Sequence, residues 1–96
     1  MPVQQARVGT ALASRYLVQL CKHFAHKIPV EYDGRRGRAD FPWGVCHMTA
    51  GDDTLDLRCE APDAQGLDRV KAVVDDHLRR FAWRETPVLS WEEPAG

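Results

Sequence analysis

WGVCHMTAGDDTLDLRCE, Trp43 to Glu60, is the stretch that decides the fold. After the turn residues Gly51-Asp52-Asp53-Thr54, Leu55, Leu57 and Cys59 alternate with Asp56, Arg58 and Glu60, the period of two of a strand with one wet face. Before the turn, Cys46, Met48 and Ala50 form the matching inward set. Inward residues must sit opposite inward residues, so a loop centred on Asp52-Asp53 places Cys46 directly across from Cys59. Two buried thiols are then neighbours. They are adjacent core cysteines acting as small hydrophobes, or else a regulatory disulfide or a shared soft-metal site.

Working outward, the same alternation recurs. Val30 and Tyr32 alternate with Glu31 and Asp33, and Ala39 and Phe41 with Arg38 and Asp40, joined by a turn at Gly34-Arg35-Arg36-Gly37. Residues 4–8 and 88–92 add terminal strands, the second with Leu89 and Trp91 on its buried side. The period changes to 3.6 in two places. Leu12, Ala13, Tyr16, Leu17, Leu20 and Phe24 predict a helix from about Leu12 to His26, capped by Thr10 and ended by Pro29. Leu67, Val70, Val73, Val74, His77, Leu78 and Phe81 predict another, capped by Asp63 and stopped by Pro87, with Arg79, Arg80 and Arg84 suiting its negative end. The order β-α-β-β-β-β-α-β, with strands gathered between two helices, predicts an α+β two-layer sandwich: a mainly antiparallel sheet with both helices on one face. The open face is charged except at Trp43, Val45 and His47, a candidate surface for packing on a second copy.

Ninety-six residues, 44% of them apolar, fit a single domain over residues 1–96. The N-terminus lacks a basic segment followed by an apolar run, and no stretch approaches the ~20 apolar residues that span a bilayer, so a cytoplasmic chain without a membrane partner is expected. Three widely spaced cysteines fit reduced thiols better than a secreted disulfide framework. Nucleic acid is not an expected partner: Arg35-Arg36-Gly37-Arg38 is a basic turn, but the aromatic strand signature of a stacking platform is missing and the pI is about 6.4. No nucleophile motif is present, and the strand acids Asp56 and Glu60 sit on the face opposite His77, so no enzyme and no catalytic residue is expected.

Charge is unevenly distributed. Residues 1–30 hold Arg7, Arg15, Lys22 and Lys27 and no acid, a net +4, against −5 for the remainder. Within this basic part, CKHFAHK (Cys21 to Lys27) puts one thiol and two imidazoles in seven residues. At about 100° per residue, Cys21 lies on one flank of the core stripe and His23 and His26 on the other, so the heptapeptide cannot close on one ion while it stays helical. No cofactor is expected. Zinc or iron would need His23, His26 and a further ligand, for which His77 on the other helix is placed. The same crowding of cations suits an anion, with Arg15, Lys22, His23, His26, Lys27, Arg80 and Arg84 as candidate contacts. It also suits no ligand at all, because cations at a helix C-terminus contribute about 0.3 to 1 kcal/mol each unaided.

The runs SRYLVQLCKHFAHK, GRADF, GVCHMTA and HLRRFAWRE resemble a small bacterial family known as domain of unknown function 2218, the likeness reaching from about Ala6 to Trp91. Members resembling it also occur fused to siderophore-interacting flavin reductases. The resemblance therefore implies an accessory role in siderophore-iron utilisation, with an anionic iron chelate or a reductase-type flavoprotein as partner. It singles out Cys21, Lys22, His23, His26, Lys27, His77, Arg80 and Arg84.

Overall fold

The computed structural model describes residues 2–94. Seven elements follow one another: β1 (Val3–Gly9), α1 (Ala13–Phe24), β2 (Val30–Tyr32), β3 (Arg36–Phe41), β4 (Gly44–Ala50), β5 (Thr54–Glu60) and α2 (Ala64–Phe81). The strands form one antiparallel sheet in the order β1-β5-β4-β3-β2. Both helices pack on one side of it and against each other, giving the two-layer α+β sandwich that the alternation predicts.

Strand parity fixes the layers. Cys46, Met48 and Ala50 on β4 and Leu55, Leu57 and Cys59 on β5 all point under the helices, and Cys46 pairs with Cys59. The Ala50 N–H donates to the Arg35 carbonyl on the β3 side (2.8 Å), so Ala50 and Leu55 are a non-hydrogen-bonded pair; by alternation Cys46 and Cys59 are one too. Leu17, Leu20 and Cys21 of α1 and Val70, Val74 and Leu78 of α2 complete the core. α2 begins on Asp63, whose carboxylate accepts the Gly66 N–H at 2.7 Å, a cap that stabilises a helix by about 1 kcal/mol.

Several boundaries differ from the sequence expectation. Leu12, not Thr10, occupies the N-cap of α1 and offers no side-chain cap; the Thr10 hydroxyl accepts the Leu12 N–H (3.0 Å) and donates to Glu85 (2.9 Å). α1 ends at Phe24, because the chain tightens there into turns in which Lys27 N–H donates to the Phe24 carbonyl, leaving His26 and Lys27 beyond the helix. The β2–β3 turn is centred on Gly34-Arg35, with Asp33 Oδ1 accepting from both Arg35 and Arg36 N–H at 2.7 and 2.9 Å. Gly37 belongs to β3 instead and lies buried beneath α1.

The far end of α2 departs most. The helix stops at Phe81, before Pro87 is reached, and Thr86 takes a positive φ of 45°. Past the helix end the Glu85 carboxylate accepts hydrogen bonds from Tyr16 and Thr10, which holds the chain over α1. From that anchor the chain must cross to the β1 edge, so residues 88–92 form only a bridge pair, Gln5 with Glu92 (2.8 and 2.9 Å). Leu89 is buried and Trp91 half-buried, on the side anticipated. Among the described residues no helix is long and apolar enough to cross a membrane.

Candidate functional site

The two histidine-bearing segments meet where α1 ends beside the last turns of α2. Phe24 is the last core residue of α1 and turns its ring inward, against Phe41 (5.1 Å between centroids) and His77 (5.2 Å). His23, one residue earlier, leans outward over α2, with its ring centre 4.6 Å from that of His77 at an interplanar angle of 43°. Phe81 closes the floor, edge-on to His23 at 5.9 Å. Beyond Phe41 the aromatic column continues to Trp43, stacked at 5.7 Å and capped by the Arg69 guanidinium at 4.2 Å.

His77 is held in one orientation. Its Nδ1 lies 2.7 Å from the Val73 carbonyl, which can only accept, so Nδ1 carries the hydrogen and neutral His77 keeps its lone pair on Nε2. His23 is more open to solvent. Partial desolvation, followed by the positive charges of His77, His26, Lys27 and Arg80, pushes its pKa below the ordinary histidine value. Among the described residues only Arg80 of these neighbours has a paired acid, Asp76, at 3.1 Å one turn earlier on α2.

The sequence-derived candidates thus divide. His23, His26, Lys27, His77 and Arg80 come together at this corner. Arg15 stands two turns back along α1 beside Tyr16, Lys22 projects into solvent, and Arg84 folds over the Trp83 ring (5.0 Å). Cys21 is committed to the core: its sulfur is 3.8 Å from Met48 Sδ, and burial pushes its thiol up to about 11. The Cys21 thiol and the His23 imidazole diverge as helical geometry requires, and His26 lies past the helix end, exposed. Among the described residues no three His, Cys, Asp or Glu side chains converge into a metal-binding group, so His26 does not complete a set with His23 and His77.

On the open face the Trp43-Val45-His47 patch is corrected. Trp43 lies in the β3–β4 turn, outside the strand alternation, and its ring packs on the helix side against Phe41 and Arg69. Val45 and His47 do face outward, half-buried among charges. Register places Arg38, His47 and Arg58 side by side across β3, β4 and β5, with Asp40, Val45 and Glu60 as the adjacent row. Like charges set opposite one another are unfavourable, and each arginine turns along its own strand to an acid: Arg38 to Asp40 (2.9 Å) and Arg58 to Glu60 (3.2 Å). A shallow trough of ~640 Å³ runs over this face between His47, Arg58, Asp56 and Glu92.

Sequence reading missed the Tyr16-Thr10-Glu85 cluster, whose members are far apart in the chain and carry no local pattern. It also missed the basic cross-strand row, although the hairpin registers contain it.

Residues 5–92 match the family described as "Uncharacterized protein conserved in bacteria (DUF2218)". The NMR structure of PA4090 from Pseudomonas aeruginosa is similar throughout: 36% identity, a TM-score of 0.82, and 96% of each chain covered. No curated protein matches the chain. With its family match spanning β1 to the C-terminal bridge, the chain belongs to this bacterial family, DUF2218.

Proposed function

We propose that the chain is a non-enzymatic accessory module that binds an anionic ligand at the α1–α2 corner, through His23, His26, Lys27 and Arg80 with His77 behind them. One observation carries this reading: the end of α1 sets the His23 ring 4.6 Å from that of His77, where desolvation, then the charges of His77, His26, Lys27 and Arg80, lower the His23 pKa. An anion placed there relieves that repulsion, and exposed charges act over a Debye length of ~8 Å. An anionic ferric chelate, handed on by a reductase-type flavoprotein, is the ligand class that the family resemblance suggests. Calorimetric titration with gallium(III) citrate, a redox-inert stand-in for ferric citrate, tests it. The double substitution His23→Gln, Lys27→Gln is expected to abolish the heat of binding and leave the Tm almost unchanged; loss of Tm with no binding by the parent protein would mark these residues as structural.

A second reading, a homodimerising module, is favoured by the order of charges on the open face. A two-fold axis lying in that face between the two rows sets Arg58 over Glu60, Arg38 over Asp40 and His47 over Val45 of a second copy. Five strands about 4.8 Å apart present roughly 500 Å² per copy, the low end for a specific interface, so association would be weak. Sedimentation equilibrium separates the readings: Arg38→Glu with Arg58→Glu is expected to abolish a dimer, and Trp43→Ser to leave it intact.

A further inference from the structure

The His23 and His77 rings stand close enough for both imidazoles to reach one ion. Two imidazoles bound in adjacent positions on one metal ion, each nitrogen about 2.1 Å away, hold their ring centres about 4.5 Å apart. The observed separation is 4.6 Å. His77 is also oriented as a metal-ligating histidine usually is, with Nδ1–H fixed on a backbone carbonyl and Nε2 left free to bind. Phe24 packs edge-on against both rings and Phe81 against that of His23.

A bare cation does not fit. No third protein ligand is placed among the described residues, and Lys27, His26 and Arg80 oppose an incoming positive charge. Both objections vanish if the ion arrives already wrapped in anionic donors, because the chelator supplies the missing ligands and its carboxylates meet Lys27 and Arg80. We propose that His23 and His77 take two adjacent coordination positions of a divalent copper or nickel ion carried in an anionic carboxylate chelate. Imidazole nitrogen suits both ions, and both favour right-angled adjacent positions. Binding is a ligand exchange: two water molecules leave the metal as two neutral imidazole nitrogens bind, and no electron is transferred. This inference rests on the reading of the corner as an anion site and specifies the ligand.

The test uses untagged full chain with copper(II) nitrilotriacetate, which leaves two adjacent positions open and carries one negative charge. A one-to-one complex is expected, with hyperfine splitting from two protein nitrogens in its electron paramagnetic resonance spectrum. His23→Gln and His77→Gln are each expected to weaken it about tenfold or more and to leave the signal of a single protein nitrogen, whereas His47→Gln changes nothing. His23 is exposed, so its variant remains informative if the His77 variant does not fold. A spectrum unaffected by both substitutions overturns the proposal. Metal-free nitrilotriacetate that binds as tightly as the copper complex also overturns it and leaves the anion reading standing. Two-nitrogen binding undiminished by Lys27→Gln with Arg80→Gln supports coordination and removes the anion reading.

Discussion

The sulfur of Cys21 occupies the space above Gly37: a Cβ built on that glycine would stand 2.6 Å from Sγ. Here the first residue of CKHFAHK is spent on packing, in direct contact with the sheet, while His23 and His26 remain outside. Gly37→Ala is expected to lower unfolding free energy by about 1 to 3 kcal/mol through overpacking. Adding Cys21→Ala removes the obstructing atom, so the double variant should lose less than the two single losses combined. Denaturant melts of the four proteins measure the coupling.

Cys46 and Cys59 are buried and free, and the facing Cys59 thiol, then burial, push the Cys46 thiol well up. Thiolate is the reactive form, so native thiols should label far more slowly than model thiols at neutral pH. Under denaturing, non-reducing conditions three thiols are expected; a count of one would place a disulfide between these strands.

Glu85 ties the segment after α2 to α1 through Tyr16 and Thr10. Tyr16→Phe is expected to cost about 1.5 to 3 kcal/mol, the range for a hydrogen bond to a charged group. The bond to Glu85, then burial, raise the Tyr16 pKa above 10.0, so its folded form keeps the proton after the unfolded chain has lost it. Its contribution is complete below about pH 10 and is lost as pH rises through the folded value. Alkaline melts of parent and Tyr16→Phe should therefore converge.

His23 works in the opposite direction. With its folded pKa below 6.5, the unfolded chain takes up the proton first, so its contribution to stability is present above that value and falls as pH drops toward the folded pKa. A metal-free anion has the reverse dependence, because it favours the imidazolium and its affinity rises on acidification. Imidazole NMR titration should show a midpoint below 6.5, raised both by metal-free citrate and by Arg80→Gln.

What the chain declares in advance is its layering. Alternation at Leu55, Leu57 and Cys59 carried parity, and a turn of known length carried the register that sets Cys46 against Cys59, because a sheet admits no half-step. Helical angle separated Cys21 from His23, whereas His26 lies past the end of α1. Trp43 escaped because a turn residue obeys neither period. The end of α2 escaped because the contact of Glu85 with Tyr16 is tertiary and leaves no local pattern. At the corner, composition indicated which cations were available, but only packing could bring His77 and Arg80 to His23 and leave Arg15, Lys22 and Arg84 outside.

The central claim is that the end of α1 and the last turns of α2 form one anion-receiving corner. Amide and imidazole NMR shifts during titration with gallium(III) citrate test it most directly. Saturable shifts confined to residues 22–28 and 76–84 are predicted. An unchanged spectrum, or shifts centred on Arg38, His47 and Arg58 across the open sheet face, would contradict it.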